Sequence, residues 1–524
     1  MSETKFLYGA AVQGIQSFIF QTNKLREIVG ASELVEEICT TKFKEIVGNT
    51  FAEYDETKKH GSILHAAGNI KYVFDSEVEC KRVVKFFPKT IADFAPGIMV
   101  SQAVVKMEGK FSDFKDAVNE LEKRLRIQRN KPMRSATLGL MGIERSRQTG
   151  LPVTFVRPET RFGKKEDLHL DEGTRAKLYA EPSGEKLKTT KKLCEKAFNM
   201  SFDDLEGRIA FNIEDITKNN DWVAVIHADG NGLGQIVQKI GDKAGKFKAF
   251  SENLDIATTK AAVKAFESVA KQYEWDMIIP IRPIVLSGDD LTVVCRADLA
   301  LDYAKSFIEH FEKQTKTLLA DQLQEAYGDA VKNGLTACAG MAYIKSSFPF
   351  YYGYNLAETL CSLAKKDAKD SDEIREGKKL PKSCLMFHKV QDSFTEDWSA
   401  IAERELTPKE NISFMFGPYY INEKKEDSRW TVDNLKNYAK KLDSKEGNAV
   451  KSHLRQWMSL LHDNPEMAKQ KLLRLESMTS IRSYVEDVTK GVKKMVKKNG
   501  KDVELTAYPV YDILTIHTIN TQTT

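Results

Sequence analysis

The segment WVAVIHADGNGLG, residues 222–234, is the most informative part of the sequence, because a passage of the same form stands about 220 residues earlier in the chain. In the later passage an apolar strand, Trp222–Ala228, runs into an acidic, glycine-rich loop and then a helix. In the earlier passage the strand Phe6–Ala11 runs into a loop at Gly14 that also leads into a helix. Two copies of one pattern indicate an internal duplication.

Each copy continues with a predicted hairpin. The two hairpins pair Ser62–His65 with Ile70–Phe74, around Ala67-Gly68-Asn69, and Pro283–Leu286 with Leu291–Cys295, around Ser287-Gly288-Asp289-Asp290. A helix, a strand and a last helix follow in both copies. The order β-α-α-β-β-α-β-α predicts the ferredoxin-like palm of nucleotidyl cyclases and polymerases, an antiparallel sheet with helices on one face.

The whole chain is predicted to be α+β, with two ferredoxin-like palms in tandem. The predicted parts are a first palm at 1–130, a connecting region at 131–215, a second palm at 216–388 and an α-helical C-terminal domain at 389–524. Lysines 490, 493, 494, 497, 498 and 501 are expected on a solvated helix face and turn of that last domain, with a nucleic-acid contact as the alternative.

Composition excludes several classes of protein. Among 524 residues, 79 Lys and Arg nearly balance 75 Asp and Glu, so a protein that coats a polyanion along its whole surface is excluded. No apolar run reaches the ~18 residues of a membrane span, and the N-terminus lacks a secretory signal, so we expect a cytoplasmic protein. Seven scattered cysteines without a C-x-x-C pair argue against disulfides and against zinc, and favour buried side chains.

Three aspartates of the second copy are expected to meet. Asp229 ends the first strand of the palm, and Asp289 and Asp290 lie at the tip of the neighbouring hairpin. Carboxylate oxygens are the ligands that Mg²⁺ or Mn²⁺ prefers, and two such ions support phosphoryl transfer. The adjoining glycines that would let phosphates approach the main chain are Gly230, Gly232 and Gly288. Either motif alone could also be an ordinary turn or loop.

The first copy lacks these acids. Where the second copy has its aspartates, the alignment of the motifs places Ala11, Asn69 and Ile70, which cannot act as carboxylate ligands. Gly68, Asn69 and Ser32 could still bind a nucleotide through main-chain and neutral side-chain groups. A helix cap at Ser32 and a turn at Asn69 are the structural alternatives.

Several motifs together carry a family resemblance. They are GIQSFIF from Gly14, KLREIVGAS ending at Ser32, the Gly68-Asn69 turn, Ala228-Asp229-Gly230, Ser287-Gly288-Asp289-Asp290, and Ala357-Glu358 to Ala364-Lys365-Lys366. In combination they resemble the large polymerase/cyclase subunit of type III CRISPR effector complexes. Because the first palm begins within the first ten residues, we expect a form without the family's N-terminal His-Asp nuclease domain.

The resemblance implies a nucleotidyltransferase that converts ATP into a (cyclic) oligoadenylate second messenger when target RNA is bound. Asp229, Asp289 and Asp290 would then hold two Mg²⁺ or Mn²⁺ ions. The residues implied to bind nucleotide are Ser32, Gly68, Asn69, Gly230, Gly232, Ser251, Ser287, Gly288 and Lys365. The implied partners are other subunits of the ribonucleoprotein complex, guide RNA and target RNA, with no membrane.

This sequence departs from the family pattern in two places. Ser287 replaces the first glycine of the usual Gly-Gly-Asp-Asp turn, and the family's cysteine cluster between the palms is missing, so no zinc is expected there. Three alternative functions stay open: cyclisation of GTP, adenylylation of a different acceptor, and a non-catalytic scaffold that binds RNA. His227 is expected to be a buried strand residue with at most a minor role in positioning metal or phosphate.

Overall fold

The computed structural model of the chain describes residues 4–521, except 67, 132–141, 162–163, 184, 218–221, 241–242, 271–277, 329–333, 370–371, 377, 393–396, 410, 423–429, 478–481 and 499–500. Ala67 of the first predicted turn and part of the predicted connecting region therefore lie outside the described residues. All seven cysteines are free and buried, as predicted. In the described part of the chain, no helix has the length and apolar character needed to cross a bilayer.

The elements of the first palm follow the predicted order, except that three α-helices rather than two lie between its first two strands. They are β1 (Lys5–Gln13), α1 (Ile15–Ile19), α2 (Leu25–Glu37), α3 (Phe43–Val47), β2 (Gly61–Ala66), β3 (Asn69–Phe74), α4 (Glu77–Phe94), β4 (Met99–Met107) and α5 (Phe114–Arg129). The four strands form an antiparallel sheet in the order β2-β3-β1-β4. The connecting region contains β5 (Phe155–Arg161), β6 (Lys164–Leu170), α6 (Glu172–Leu178), α7 (Lys192–Phe198) and α8 (Glu214–Thr217).

The second palm repeats the order β8-β9-β7-β10 and adds two strands at its edge. Its elements are β7 (Trp222–Gly230), α9 (Leu233–Ile240), α10 (Ala244–Ala270), β8 (Ile281–Ser287), β9 (Asp290–Arg296), α11 (Ala300–Leu318), α12 (Ala320–Tyr327), β10 (Ala337–Lys345), α13 (Phe350–Ala368), α14 (Asp372–Arg375) and β11 (Cys384–Lys389). Strand β11 pairs with β10 in the parallel direction, and a further short strand pairs with β11. The sheet therefore has six strands, where the sequence predicts four.

Helices cover both faces of each palm sheet, so the prediction of one covered face is wrong. On one face of the first palm sheet Tyr8 packs with α2 and α4. On the opposite face its neighbour Leu7 packs with α5. Alternate residues of a strand point to opposite faces, and both sets are apolar here. Since β7 is buried on both sides as well, its nearly continuous apolar run at 223–228 is explained.

One hydrophobic core is shared by the two palms. It joins Tyr8 and Phe20 of the first palm to Val225, Ile284 and Tyr354 of the second. The rings of Phe20 and Tyr354 stack with their centres 3.9 Å apart. The palms therefore pack against each other as parts of one body.

The C-terminal part is mainly helical but includes a small sheet. Its elements are α15 (Trp398–Leu406), β12 (Ile412–Ser413), β13 (Tyr419–Tyr420), α16 (Val432–Lys441), α17 (Lys445–Asp463), α18 (Pro465–Glu476), α19 (Arg482–Thr489), β14 (Val492–Lys498), β15 (Lys501–Ala507) and α20 (Val510–Thr521). Strand β13 completes the edge of the second palm sheet. The lysine-rich segment forms the hairpin β14–β15, so its predicted helical conformation is wrong.

Candidate active site

The acidic residues of the second palm come together at one end of its sheet. Strand β7 pairs with β9 up to Ala228 opposite Leu291, which places Asp229 beside Asp290, the first residue of β9. Ser287 pairs with Asp290, so Asp289 occupies the two-residue turn between β8 and β9. Ligand atoms of His227, Asp229 and Asp290 lie within 4.8 Å of one another. The structure thus brings Asp229 and Asp290 together with His227, and Asp289 lies in the adjoining turn.

Burial and mutual repulsion act on these carboxyl groups. The pKa of Asp289 is raised well above its ordinary value, first by burial and then by the charges of Asp290 and Asp229. Burial and the charge of Asp229 raise the pKa of Asp290 to about 7. A divalent cation would reverse this effect, because it stabilises the ionised form of each carboxylate.

Lys365 is the cation of the cluster. Its ammonium forms an ion pair with Asp229 and donates a 2.9 Å hydrogen bond to the carbonyl of Gly230. Burial alone would lower the pKa of Lys365, but the Asp229 carboxylate outweighs it, and the pKa is raised. The lysine implied by the resemblance therefore lies at the acid cluster, carried there by α13 across the face of the sheet.

His227 lies beside the aspartates with its ring mostly buried. Burial lowers its pKa, so the neutral ring is favoured. Nδ1 lies 3.2 Å from the hydroxyl oxygen of Thr292, and the ring meets Tyr354 edge to face. The buried strand residue expected from the sequence is observed, with a ring nitrogen close enough to Asp229 and Asp290 to join a metal site.

The donor set fits Mg²⁺ or Mn²⁺. Hard divalent cations take carboxylate oxygens. Asp229 and Asp290 each place one such oxygen within 4.8 Å of the other and of a ring nitrogen of His227, and Asp289 lies in the adjoining turn. A cation bound here would lie within reach of His227, Asp229 and Asp290.

A network from α10 and α7 holds the turn that carries Asp289. The Thr258 hydroxyl donates a 2.6 Å hydrogen bond to the Gly288 carbonyl, and the Gly288 N–H donates to Asp255 at 3.3 Å. Lys196 in turn donates to Asp255 at 3.0 Å and to the Leu286 carbonyl at 3.1 Å. Sequence reasoning missed these three side chains, because nothing in their local pattern indicates a contact across 30 or more residues.

Glycines allow the loop after β7 to approach the turn. A Cβ atom at Gly230 would lie 3.0 Å from Cβ of Asp289, which is tighter than ordinary packing permits. Gly288 has φ +63° and Gly232 has φ +79°, both in the left-handed region. The Gly232 carbonyl lies 3.5 Å from the Tyr327 hydroxyl, immediately before α9 begins.

The first palm has no acid in the equivalent positions, but the register corrects the motif alignment by one residue. Ala66 pairs with Asn69 as Ser287 pairs with Asp290, and Asn69 stands opposite Ala11. Asn69 therefore occupies the place of Asp290, and Gly68 that of Asp289. Gly68 has φ +75°, and its carbonyl accepts a 2.7 Å hydrogen bond from the N–H of Val12.

Ser32 and Ser251, which are equivalent in the repeat, have different surroundings. The hydroxyl of Ser32 is buried and donates to the carbonyl of Ile284, across the contact between the palms. Its predicted nucleotide contact gains no support from this geometry. Ser251 is half-buried on α10, and within the described residues its side chain makes no hydrogen bond. Ser251 is therefore available to a ligand.

A fourth carboxylate, Glu358, also faces the cluster. It lies two turns before Lys365 on α13 and contributes to the raised pKa of Asp290. Its Oε1 accepts a 3.1 Å hydrogen bond from Gln16 of the first palm. The sequence marks Ala357-Glu358 as part of a motif, but the position of Glu358 beside the acids depends on how α13 packs on the sheet.

Comparisons with known proteins agree with this architecture. Residues 222–374 match the sequence model of the family described as Cas10/Cmr2, second palm domain. No curated protein matches the chain at a significant level.

Solved structures match 99% of the chain and 70% of their own length. They include a Csm1–Csm4 cassette in complex with cA3 (12% identity, TM-score 0.52) and Csm1 in T. onnurineus (14%, 0.51). A third is the Csm1–Csm4 subcomplex in the type III-A CRISPR-Csm interference complex (13%, 0.50). At such identities the likeness shows the fold. Residues 222–374 thus match the second palm domain of Cas10/Cmr2 in sequence, and the chain as a whole has the fold of Csm1.

Proposed function

We propose that this protein is the nucleotidyltransferase subunit of a type III CRISPR effector complex. It joins ATP molecules through 3′–5′ linkages into a linear or cyclic oligoadenylate when target RNA is bound. The observation that carries the proposal is the convergence of Asp229, Asp289 and Asp290 beside Lys365 at the end of the second palm sheet. The second palm would thus supply both the carboxylates and the positive charge that a phosphoryl-transfer site needs.

The chain's own residues would divide the work of such a site. Asp229, Asp289 and Asp290 would hold Mg²⁺ or Mn²⁺, which supplies charge neutralisation at the reacting phosphate when bound. Lys365 fixes the position of Asp229 and brings a positive charge to the place where phosphates would bind. The Thr258 and Asp255 contacts hold the turn in one geometry, so that Asp289 does not have to be ordered during the reaction.

The second nucleotide would bind on the side of the first palm. The Gly68-Asn69 turn occupies the place of the acidic turn there, and an amide at Asn69 offers hydrogen bonds without repelling phosphate. Ser251 on α10 supports the same proposal, because α10 also contacts the first palm through the 2.7 Å ion pair between Lys248 and Glu53. Two nucleotides could thus face each other with one set of acids between them.

The proposed partners are a Csm4-like subunit, guide RNA and target RNA. A Csm1–Csm4 pair is what the similar solved structures contain, and one of them belongs to a type III-A interference complex. A complex of this kind would act in the cytoplasm. Affinity purification of the tagged chain from its native cell, followed by sequencing of bound RNA and identification of bound proteins, tests this part.

Product analysis tests the activity itself. The purified complex is incubated with ATP, Mg²⁺ or Mn²⁺ and cognate target RNA, and pyrophosphate release is measured together with the mass of the product. We expect adenylate oligomers, and we expect Asp289→Ala to stop their formation while Asp321→Asn, on the exposed side of α12, has no effect. Unchanged pyrophosphate release from Asp289→Ala would contradict the proposal, and a guanylate product or a transferred adenylyl group would replace the proposed substrate or acceptor.

A further inference from the structure

A cavity of about 800 Å³ lies at the end of the second palm sheet that is opposite to the acid cluster. Trp222, the first residue of β7, and Lys345, the last residue of β10, are paired in register and line it with Lys389 of β11. Helices α17 and α20 form the other wall, with Arg455 and Tyr511. Trp222 and Asp229 are seven residues apart on one strand, so the cavity is about 23 Å from the acids at ~3.3 Å per residue.

Three cations converge on this cavity. The ammonium of Lys389 lies 4.2 Å from the ring centre of Trp222, and that of Lys345 lies 5.9 Å from it. Arg455 projects from α17, where its guanidinium lies 3.4 Å from the Thr518 hydroxyl. Burial lowers the pKa of Lys389, and the charges of Lys345 and Arg455 lower it further.

None of these three cations forms an ion pair with a carboxylate in the part of the chain that the structure describes. The two acids that line the cavity, Glu405 and Asp392, lie 3.0 Å and 3.9 Å from a fourth cation, Arg404. Four cations of the lining therefore face two carboxylates. The cavity therefore holds an excess of positive charge around a half-buried lysine. Like charges held together in partly desolvated surroundings are unfavourable, and an anion would relieve the repulsion.

We propose that this cavity binds the phosphate groups of a nucleotide, either free or at the end of an RNA strand. Arginine and lysine side chains are the usual phosphate ligands of proteins. The volume falls within the range of about 300–1,000 Å³ that is typical of small-molecule sites. Tyr511 and Trp222 supply aromatic surface on which a base can lie. This site shares no residue with the acid cluster, so it does not depend on the proposed nucleotidyl transfer.

Equilibrium binding without divalent cations tests the proposal. The full chain is titrated at low salt and in EDTA with two probes: fluorescent ATP, and a 5′-phosphorylated RNA oligonucleotide labelled at its 3′ end. Lys389→Glu is expected to weaken binding of at least one probe by about tenfold or more, and Arg455→Glu to do the same. Lys115→Glu, an exposed site on α5 with the same change in charge, is expected to change affinity by less than about twofold.

The probe that responds identifies the source of the phosphate. An effect on ATP alone supports a free nucleotide, and an effect on RNA alone supports the end of a strand. Equal effects of Lys389→Glu, Arg455→Glu and Lys115→Glu on both probes would overturn the proposal, because they would reflect net charge only. Since Arg455 is exposed on its helix, its variant decides the matter if Lys389→Glu lowers the thermal midpoint of the protein.

Discussion

The hydroxyl of Ser32 in the first palm donates its proton to the main-chain carbonyl of Ile284 in the second palm. Ile284 lies where the pairing of β8 with β9 is irregular, between Pro283 and Val285, so its carbonyl stands outside the regular ladder. The first palm has the same irregularity at Ile63, between Ser62 and Leu64. Both copies of the hairpin therefore contain a bulge at the same place. Ser32 donates a hydrogen bond to the main-chain carbonyl at the bulge of the second palm.

The first prediction separates the two equivalent serines. Ser32→Ala should lower the free energy of unfolding by about 1–3 kcal/mol, because it leaves a buried carbonyl without a partner. Ser251→Ala should change that free energy by less than about 0.5 kcal/mol and should instead raise the KM for ATP. Chemical denaturation and steady-state pyrophosphate release measure the two effects. A stability loss at Ser251 as large as that at Ser32 would contradict this division of roles.

The second prediction concerns the turn that carries Asp289. Thr258→Val has nearly the same shape but removes the 2.6 Å hydrogen bond to the Gly288 carbonyl. We expect kcat for pyrophosphate release to fall roughly tenfold, because the turn is no longer held in one geometry. Thr258→Ser keeps the hydroxyl and should retain most of the activity. Equal rates for the valine and serine variants would show that the bond does not position the turn.

The third prediction concerns Lys365. Lys365→Met removes the cation that pairs with Asp229, and pyrophosphate release should fall at least about 100-fold. Without divalent cations the variant should also lose roughly 1–2 kcal/mol of stability, less than for a fully buried pair, because a third of the Asp229 side chain is exposed. The neighbouring exposed Lys366→Met serves as the control. Activity of Lys365→Met within tenfold of wild type would exclude a direct role at the site.

The fourth prediction sets stability against activity. Asp290→Asn removes a carboxyl group whose ionisation is opposed by burial and by Asp229. Without metal, the free energy of unfolding of the variant at pH 8 should therefore exceed that of wild type by about 1–2 kcal/mol. With metal present, its rate of pyrophosphate release should fall at least about 100-fold. Calorimetry in EDTA measures the first effect. A destabilised Asp290→Asn would show that this carboxyl group supports the fold.

The fifth prediction concerns pH and a group far from the acids. Asp512 on α20 is buried and accepts a 2.7 Å hydrogen bond from the Tyr419 hydroxyl, and burial raises its pKa to about 7. In the folded state it keeps its proton between about pH 4 and 7, where the unfolded chain has lost it. Its contribution to stability is therefore present below pH 4 and is lost as the pH rises to about 7.

Asp512→Asn keeps the acceptor oxygen but cannot ionise. Its free energy of unfolding should vary less between pH 5 and 8 than that of wild type, and at pH 8 it should exceed the wild-type value by on the order of 2 kcal/mol. Denaturation curves at both pH values check this. Parallel pH profiles for the two proteins would assign the titration to another group.

Much of the palm architecture could be predicted from sequence, because strand periodicity and turn chemistry are local. The hairpin around Gly288 and Asp289 is an example, since a short apolar run on each side of a Gly-Asp turn specifies both strands. The one-residue error at Asn69 arose because a motif alignment carries no information on register. Only the pairing of Ala66 with Asn69 reveals that the shorter first hairpin turns one residue earlier than the motif suggests.

The remaining features depend on contacts between distant segments. The two strands added to the second sheet, β11 and β13, are short and are separated by a helix, so no periodic signal links them to β10. The sequence predicts a helix face for the lysine-rich hairpin β14–β15, because lysine is uncommon in strands and because polar and apolar residues do not alternate regularly along β14. Thr258, Asp255 and Lys196 could not be assigned, since their role follows from how α10 and α7 pack on the acidic hairpin.

The core that joins Tyr8 and Phe20 to Val225 and Tyr354 gives a reason why the half without acids persists. Once a duplicated palm had lost its carboxylates, deleting it would have left the surviving palm with a large bare apolar face, insoluble and poorly ordered. Substitutions could therefore remove the acidic residues of the first palm, but the domain itself could not be lost without exposing the core of the second palm. An excised second palm, however complete its acidic residues, should consequently aggregate rather than work alone.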